Sequence, residues 1–324
     1  MKLLICGGCG YVGSALVPSL LDHGYEIDVI DLCWFGNYLP KEVNVIKKDL
    51  FACTEKDLES YDQIIYLAGL SNDPMAEYAI THNFIYNAAL PAQLALIAKR
   101  ASVKRFIYAG SCSVYGYTIN ELYDETAKIS CSFPYGVSKY QGESGVLHLQ
   151  DKNFSVIAFR KGTISGRSPR MRFDLICNAM TISAMTEGKI TITNPALWRP
   201  IIDMRDVVSA YLRAIQADYS ISGVFNIAQD NYTVGSVADI VKTTVESFFS
   251  NKVRLDIKNI ADLRNYKVNT EKARTQLGFH PRYNVEAIVL DLLEHWSDYP
   301  DVLTNDNYYN IKICQKIFKE KFTL

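Results

Sequence analysis

The chain has few of the features that attach a protein to a membrane or to a nucleic acid. No apolar run in its 324 residues is long enough to span a bilayer, and the apolar stretch after Met1 and Lys2 ends after four residues, which is too short for a signal peptide. The formal net charge is −1, so no basic surplus favours nucleic acid or an anionic membrane surface. We therefore expect a cytoplasmic protein whose partners include neither a membrane nor a nucleic acid.

The chain also lacks the second pair of cysteines that a structural zinc site would need. Its 8 cysteines are scattered, and the C-x-x-C pair formed by Cys6 and Cys9 has two glycines between the sulfurs, not the Pro or His that is usual in redox motifs. Cysteines in the cytosol are normally reduced. We predict no metal site here: Cys6 ends a buried strand, and Cys9 is a small residue in a turn.

What the chain does contain is a regular alternation of strands and helices. The predicted strands are 2–6, 26–31, 43–47, 63–68, 105–111 and 154–160. The predicted helices between them are 11–22, 78–102 and 134–150. Strands separated by helices pair in parallel through right-handed crossovers, which predicts an α/β fold with a Rossmann-type doubly wound parallel sheet.

After Gly166 the alternation becomes irregular, which predicts a smaller, mixed α/β C-terminal lobe that binds substrate. Its predicted helices are 174–187, 234–250, 270–277 and 285–297, with strands at 189–193 and 223–228 and a strand followed by a helix within 199–217. We assign residues 1–165 to the Rossmann domain, with returning segments at about 199–228, and residues 166–304 mainly to the lobe. Residues 305–324 form an extension, in which 311–322 predict a peripheral helix.

The glycines that follow the first strand are spaced for a dinucleotide. They open a helix, and their missing side chains allow a tight turn and a close approach of a pyrophosphate to the helix N-terminus. The alternative is a glycine-rich turn with a purely structural role. The residues predicted to contact the cofactor here are Gly7, Gly10, Tyr11, Val12 and Gly13.

An acidic residue at the end of the second strand selects the type of dinucleotide. A carboxylate at Asp31 can accept hydrogen bonds from both ribose hydroxyls and repels a 2′-phosphate. No arginine follows within residues 32–37. We therefore predict NAD, not NADP, and residues 1–165 are predicted to be the NAD-binding domain.

A tyrosine and a lysine lie four positions apart on one face of a predicted helix. A fixed ammonium at Lys139 is expected to stabilise the phenolate of Tyr135 and to lower its pKa toward neutrality. Ser111, at the end of the fifth strand, could hydrogen-bond the same substrate oxygen. With 21 tyrosines in the chain such a pair often arises by chance. The dinucleotide loop and the serine at a strand end favour a catalytic interpretation.

These motifs together resemble the extended short-chain dehydrogenase/reductases. Within them, the set resembles the nucleotide-sugar epimerase/dehydratase family, of which UDP-glucose 4-epimerase is the best-known member. The resemblance covers about residues 1–298 and includes YLAG at 66–69, GSCSVYG at 110–116 and RPIIDMRDV at 199–207. It implies a tightly held NAD, a nucleoside-diphosphate sugar as substrate, a role in carbohydrate biosynthesis and a homodimer formed through two helices per subunit.

The resemblance also assigns roles to individual residues. It implies that Ser111, Tyr135 and Lys139 are the catalytic trio, with Tyr135 and Lys139 also contacting the cofactor. Further cofactor residues by resemblance are Asp49, Leu50, Ala68, Gly69 and Asn83. Candidate substrate-binding residues are Ser71, Asn72, Ser113, Thr163, Arg170, Arg172, Arg199 and Arg264, with Thr163 and Arg199 near the diphosphate.

Two departures from the family pattern bear on the reaction. Dehydratases of the family carry Asp-Glu after the catalytic hydroxyl, whereas this chain has Cys112 and Ser113, which argues against loss of water. The segment SGRSPRMRFD clusters three arginines at 167, 170 and 172, which could bind a diphosphate or belong to a solvated loop. A similar segment occurs in a branch that includes GDP-heptose 4-dehydrogenases.

The sequence thus predicts an NAD-dependent nucleotide-sugar epimerase, acting at C4 through a transient 4-keto sugar. The alternative is a nucleotide-sugar 4-dehydrogenase or 4-keto reductase, which would use the same trio with a net redox change. A more remote alternative is a non-catalytic NAD-binding sensor, although such proteins usually lose the Tyr-Lys pair.

Overall fold

The computed structural model describes residues 1–250, 252–258 and 264–318, with the backbone alone at 119 and 120. No helix within these ranges is both long enough and apolar enough to cross a membrane. The strands are β1 (Lys2–Cys6), β2 (Glu26–Asp31), β3 (Asn44–Lys47), β4 (Gln63–Tyr66), β5 (Arg105–Ser111), β6 (Tyr117–Tyr123), β7 (Ser155–Lys161), β8 (Thr163–Ser165), β9 (Lys189–Thr193), β10 (Trp198–Asp203), β11 (Gly223–Ile227), β12 (Asp230–Thr233), β13 (Arg254–Lys258) and β14 (Asn265–Val268). The α-helices are α1 (Tyr11–Asp22), α2 (Glu55–Leu58), α3 (Asp73–Tyr78), α4 (Ile80–Phe84), α5 (Leu90–Arg100), α6 (Pro134–Leu147), α7 (Ile176–Glu187), α8 (Met204–Gln216), α9 (Val234–Phe249), α10 (Glu271–Leu277), α11 (Val285–Glu294) and α12 (Asn310–Phe318).

Seven strands form the central sheet, in the order β11-β7-β5-β4-β1-β2-β3, and every neighbouring pair is parallel. The chain runs outward from β1 to β3 and then returns to place β4 on the other side of β1. The strand order therefore reverses between β1 and β4, where ligands of doubly wound sheets bind. The predicted fold class is confirmed.

Helices cover both faces of this sheet, so its central strands are apolar on both sides. All seven residues of β5 are buried, which is characteristic of a parallel strand covered by helices on both faces. Leu16 and Leu20 of α1 belong to the core on one face, and Leu90 and Leu94 of α5 to the core on the other. Burying such a side chain contributes about 1.5–3 kcal/mol.

The C-terminal part contains small sheets that the sequence did not predict. One has three strands in the order β12-β10-β8, and two have two strands each, β13-β9 and β14-β6. The strands that the sequence did not predict are β6, β8, β12, β13 and β14, whose described residues are mostly exposed or half-buried, so their apolar pattern is weak. The lobe is mixed α/β as expected, and β11 lies in the central sheet. The domain boundaries themselves stay a prediction.

The helix predicted over 78–102 is present over residues 80–100, but a break at Ala79 precedes it and a π-helical turn interrupts it. Helix α3 starts earlier, where the Asn72 side chain accepts a hydrogen bond from Met75 N (3.0 Å), and Ala79 then leaves helical geometry (φ −126°, ψ 61°). A π-helical turn over Ile85–Ala89 separates α4 from α5. Pro91 follows at the start of α5 and has no N–H to continue the earlier hydrogen-bond pattern.

The predicted peripheral helix at 311–322 is not peripheral in the part that the structure describes. Helix α12 buries Ile313, Cys314 and Phe318. Cys314 and Phe318 pack with Leu70 and Met75, next to the carboxyl end of β4. Residues 319–322 lie outside the described ranges. The extension therefore supports the edge of the ligand crevice.

Candidate active site

A cavity of about 710 Å³ opens at the carboxyl ends of β1, β4 and β5. Its wall contains all the candidate site residues predicted from the sequence except Asn83. It also contains residues that the sequence analysis did not name, of which Asp73, Lys161 and Tyr266 carry functional groups near the predicted trio.

The glycine loop has the geometry that a dinucleotide requires. Gly7 has φ +82°, and a Cβ there would lie 2.5 Å from Ala68 N, so this position needs glycine for the fold itself. A Cβ at Gly10 would meet only Gly7 O, at 3.4 Å. No side chain caps the N-terminus of α1. The loop therefore leaves space and backbone N–H groups for a pyrophosphate, and these residues fit NAD.

Asp31 is held in place by its own loop. Its Oδ2 accepts from Cys9 N (2.9 Å) and its Oδ1 from Cys33 N (2.7 Å). Burial is the largest cause of a raised pKa at Asp31, and these hydrogen bonds oppose it. Trp34 and Phe35, which follow, line the cavity. The carboxylate lines the cavity at the end of β2, and its contact with the ribose hydroxyls stays a prediction.

Cys9 lies close to Cys33 and not to Cys6, its partner in the C-x-x-C pattern. Cys6 lies in the core on the other face of the sheet, whereas the Sγ atoms of Cys9 and Cys33 are 3.8 Å apart. Within the described ranges, Cys9, Asp31 and Cys33 are the one group whose potential metal ligands come within 4.8 Å of one another. Both Asp31 oxygens already accept backbone hydrogen bonds. The sequence carried no signal for this approach because Cys33 comes from a separate loop.

The predicted catalytic trio comes together at the cavity wall. Ser111 lies close enough to Tyr135 to act toward a lower pKa of its phenol. The Lys139 Nζ lies 5.9 Å from the centre of the Tyr135 ring and donates to Ala109 O (3.1 Å). Tyr135 and Lys139 occupy successive turns of α6, while Ser111 ends β5. The arrangement can hold a substrate hydroxyl between a serine and a tyrosine, with a lysine behind them.

The predicted lowering of the Tyr135 pKa is not seen in the chain alone. Burial is the largest cause of a raised pKa at this phenol, and the Asp73 carboxylate adds to it, while Ser111 and Arg172 oppose the change. Burial also lowers the pKa of Lys139 to about 7. The lysine charge favours the phenolate, but the loss of solvation on burial penalises the charged forms of both side chains.

Asn83 supports the catalytic helix and does not line the cavity. It is fully buried, its Nδ2 donates to Pro134 O (3.0 Å), and its Oδ1 accepts from Ser138 (3.1 Å) and Asn87 (2.8 Å). These bonds fix the first turn of α6, where Tyr135 lies. The direct cofactor contact assigned to Asn83 has no support in this geometry.

A second polar group faces the trio from the opposite wall. Arg264 Nη1 donates to Asp73 Oδ2 (2.7 Å), and the buried Asp73 Oδ1 has no hydrogen-bond partner among the described atoms. Ser113 Oγ lies 3.1 Å from Ser111 Oγ and 3.4 Å from the Tyr266 hydroxyl. Asp73 and Tyr266 were not among the residues predicted from the sequence, although Asp73 directly follows the candidates Ser71 and Asn72.

Cys112 is turned away from the cavity. It is 1% exposed, and its Sγ donates to Arg160 O (3.1 Å). Burial raises the pKa of its thiol. The position that carries an acid in the dehydratases is therefore an interior thiol here, and Ser113 beside it is a neutral hydroxyl.

The three arginines of SGRSPRMRFD have different surroundings. Arg167 faces outward, where it pairs with Asp291 (3.1 Å) and Asp298 (3.5 Å). Arg172 is buried in a bidentate pair with Asp174 and also donates to Ser71 Oγ (3.0 Å). Arg170 and Arg172 line the cavity, so the solvated-loop alternative holds for Arg167 alone.

A second lysine, the half-buried Lys161, lies beside the trio. It ends β7, and its Nζ donates to Gly110 O (3.0 Å), next along β5 from the carbonyl bound by Lys139. Burial is the largest cause of a lowered pKa at Lys161, and the charge of Lys139 adds to it. The signal in the sequence was its position at a strand end that faces the crevice.

The sheet, the glycine loop and the trio define a nucleotide-binding enzyme of the short-chain dehydrogenase/reductase type. A family model for the NAD dependent epimerase/dehydratase family matches residues 3–228. The chain belongs to this family, and NAD is its cofactor. Among curated proteins, UDP-glucose 4-epimerase of Neisseria meningitidis serogroup C is 23% identical, over 93% of this chain and 98% of that protein. UDP-glucose 4-epimerase of Bacillus subtilis (strain 168) is 24% identical, over 90% and 95%.

Solved structures share the fold. UDP-glucose 4-epimerase of Thermotoga maritima with UDP-glucose has a TM-score of 0.80 at 21% identity, covering 92% of this chain and 99% of that one. MoeE5 in complex with UDP-glucuronic acid and NAD has a TM-score of 0.80 at 22% identity, covering 92% of this chain and 99% of that one. TunA, an NAD dependent NDP-hexosamine 5,6-dehydratase, has a TM-score of 0.81 at 20% identity, covering 92% of this chain and 98% of that one.

Proposed function

We propose that the protein is an NAD-dependent nucleotide-sugar epimerase that inverts C4 of its substrate through a transient 4-keto sugar. The observation that carries the proposal is the trio of Ser111, Tyr135 and Lys139 in a cavity where Cys112 and Ser113 replace the dehydratase acid and base. The trio can move a proton at a sugar hydroxyl. Neither the buried thiol nor the neutral hydroxyl can both protonate a leaving group and abstract a second proton.

The residues of the chain have distinct tasks in this reaction. Tyr135, as the phenolate, accepts the proton of the C4 hydroxyl, and Ser111 donates a hydrogen bond to the same oxygen. Lys139 stabilises the phenolate from the next turn of α6. NAD, held by the glycine loop and Asp31, would supply the reversible hydride acceptor that oxidation of C4 and reduction of the ketone require. Tyr135 then gives the proton back to the C4 oxygen.

The far wall of the cavity is suited to a nucleoside-diphosphate sugar. Thr163 of β8 and Arg199 of β10 lie on neighbouring strands and line the cavity, as does Arg264. We assign Thr163 and Arg199 to the diphosphate, and Ser71, Asn72, Ser113, Arg172 and Arg264 to the sugar side. The curated relatives are UDP-glucose 4-epimerases, which favours a UDP-sugar.

The first experiment asks what the protein holds when purified without added cofactor. The protein is denatured, and any released nucleotide is identified by mass spectrometry together with its redox state. We expect about one NAD or its reduced form per chain, since an epimerase returns the hydride within each cycle. An empty site that binds NAD weakly would favour the 4-dehydrogenase or 4-keto reductase and would overturn the epimerase proposal.

A labelled substrate then tests which carbon of the sugar is inverted. UDP-sugars deuterated at C4 are incubated with the protein in ordinary water, without added NAD. Inversion at C4 by hydride return keeps the deuterium in the epimer, and turnover leaves no net reduced cofactor. The unlabelled substrate is also incubated in D2O, where inversion at a carbon that is deprotonated next to the ketone introduces deuterium at that carbon, and that result would contradict C4 inversion. Accumulation of reduced cofactor with an oxidised sugar would identify the net dehydrogenase.

We also propose a homodimer and a role in carbohydrate biosynthesis, on the strength of the family alone. Light scattering on the purified chain measures the mass directly. A mass of about one chain, 36.6 kDa, would contradict the dimer.

A further inference from the structure

Arg170 is joined to the cofactor helix and not to the strands that carry the candidate diphosphate residues. Its backbone N donates to Ser14 Oγ of α1 (3.1 Å). Ser168, two residues earlier, donates to Tyr11 O (2.6 Å) and lies 2.8 Å from Ser14 Oγ. All of these atoms are buried. The loop after β8 is therefore fixed to the first turn of α1, where the N–H groups for a pyrophosphate lie.

The guanidinium of Arg170 is buried with few partners. The residue is 2% exposed, its carbon Cζ lies 3.8 Å from the centre of the Phe35 ring, and Nη2 donates to Asn310 Oδ1. Nε has no partner among the described atoms. Phe35 and Asn310 both line the cavity, and Phe35 follows shortly after Asp31, the residue predicted to bind the ribose.

No carboxylate in the described part of the chain forms an ion pair with Arg170. Asp174, which lies near, is already paired with Arg172. The charge of Arg170 acts to lower the pKa of Asp31, but both oxygens of that carboxylate already accept backbone hydrogen bonds. Burial and the charge of Arg172 lower the pKa of Arg170 to about 9. A buried cation with unused donors is costly unless an anion joins it. The surroundings of Arg170 thus lack one anionic partner.

We infer that Arg170 binds the pyrophosphate of NAD, from the side opposite the N-terminus of α1, and does not bind the diphosphate of the substrate. Its position between the first turn of α1 and the segment after Asp31 matches the path of a dinucleotide from ribose to pyrophosphate. The planar guanidinium can offer two parallel hydrogen bonds to phosphate oxygens. Arg199, by contrast, contacts Arg264 and Tyr266 on the far wall.

The C-terminal helix takes part in the same site. Asn310 begins α12 and uses both ends of its side chain, Oδ1 toward Arg170 and Nδ2 toward Ser71 Oγ (2.8 Å). At the other end of α12, the ring of Phe318 packs edge-on against Trp34, with centroids 5.5 Å apart. Trp34 lines the cavity. Helix α12 therefore closes over the cofactor and holds Arg170 in position, which explains why NAD would stay bound between turnovers.

The test compares fragments of the cofactor on Arg170→Met and on a matched control. The control is Arg167→Met, in the same loop but 32% exposed and paired with Asp291. Isotopically labelled NAD is loaded, and competition by ADP-ribose, ADP, adenosine and UDP gives four affinities per protein. For Arg170→Met we expect the affinities for ADP-ribose and ADP to fall roughly 10- to 100-fold. The affinities for adenosine and UDP should fall less than about threefold. Arg167→Met should change none of them.

Each other pattern counts against the inference. Weaker binding of UDP with an unchanged affinity for ADP-ribose would assign Arg170 to the substrate diphosphate. An equal loss of affinity for adenosine and for ADP-ribose would mean that Arg170 only supports the fold. Should Arg170→Met not fold, Arg170→Lys keeps the charge without the paired donors, and the same fragment pattern is expected at smaller size.

A second variant tests the part played by α12. Asn310→Ala leaves Arg170 present but removes its anchor, so labelled NAD should exchange several times faster than in the parent protein. An unchanged exchange rate would overturn the role of α12. None of these measurements requires turnover, so their outcome is independent of whether the enzyme is an epimerase.

Discussion

Glu143 and Arg160 form a bidentate ion pair inside the protein, with Nη2–Oε1 at 2.6 Å and Nε–Oε2 at 3.0 Å. The two side chains are 2% and 5% exposed. Glu143 lies on α6, two turns after Tyr135, and Arg160 lies on β7. The pair therefore ties the catalytic helix to the central sheet.

Breaking this pair should destabilise the protein strongly. Glu143→Gln or Arg160→Met leaves one buried charge without its partner, and we expect a loss of about 3–5 kcal/mol in the free energy of unfolding. The double variant Glu143→Leu with Arg160→Met removes both charges and should recover much of that loss. Urea unfolding measures all three. If the double variant were less stable to unfolding than both single variants, the unpaired buried charge would not be the cause of the loss in stability.

Tyr135→Phe should abolish most turnover while the protein keeps its cofactor. The change removes one hydroxyl and leaves the ring, so the cavity wall is preserved, but no group remains to accept the C4 proton. We expect turnover to fall by roughly 100- to 10,000-fold. Tyr140→Phe is the matched control, since Tyr140 lies on the same helix and is exposed. Near-normal activity in Tyr135→Phe would refute the assignment of the base.

Asp73→Asn should shift the pH dependence of turnover toward lower pH. The Asp73 carboxylate raises the pKa of Tyr135, so its removal makes the phenolate easier to form and moves the acid limb of the profile downward. Glu77→Gln, on the exposed side of α3, is the control and should leave the profile in place. If the acid limb of the profile stays at the same pH or shifts to higher pH in Asp73→Asn, a charge effect of Asp73 on Tyr135 is excluded.

Lys139→Met should stabilise the nucleotide-free protein below pH 7. The pKa of Lys139 falls from 10.5 to about 7 on folding, because burial disfavours the ammonium. Its unfavourable contribution is therefore complete below pH 7 and disappears as the pH rises toward 10.5. We expect the free energy of unfolding of Lys139→Met to exceed that of the parent protein by about 1–4 kcal/mol at pH 6 and by little at pH 10.5. Thermal unfolding of nucleotide-free protein across this range measures it, with the exposed Lys152→Met as control. A gain that grows with pH would reverse the sign of this argument.

Two glycines of the first loop should separate folding from cofactor binding. Gly10→Ala meets only Gly7 O at 3.4 Å, so it should fold normally and lose at least about tenfold in NAD affinity, because the methyl group enters the space for the pyrophosphate. Gly7→Ala combines φ +82° with an overlap at Ala68 N and should cost about 2 kcal/mol or more in stability.

Gly24→Ala calibrates the backbone effect in that comparison, because Gly24 has φ +79° with nothing within 4 Å of an added Cβ. Calorimetric titration with NAD and thermal unfolding separate the two properties. Full NAD affinity in a folded Gly10→Ala protein would show that the pyrophosphate does not pass over this turn.

The sequence by itself determined the main sheet and most of the cavity wall. Alternating apolar strands and amphipathic helices impose parallel pairing with right-handed crossovers, and a parallel sheet brings its strand ends to one edge. Gly7, Asp31 and Ser111 each follow or end a strand, so their meeting at that edge could be predicted. Tyr135 and Lys139 could be paired from helical spacing alone.

Tertiary structure decided the contacts between distant segments. Asp73 meets Arg264 across 191 positions, and Cys33 approaches Cys9 from another loop. Arg170 faces the cofactor helix although its sequence suggested the substrate, because Ser14 and Ser168 fix its loop there. The raised pKa of Tyr135 likewise follows from burial. Local pattern specifies elements and their periodicity, whereas desolvation and side-chain partners depend on which distant surfaces pack together.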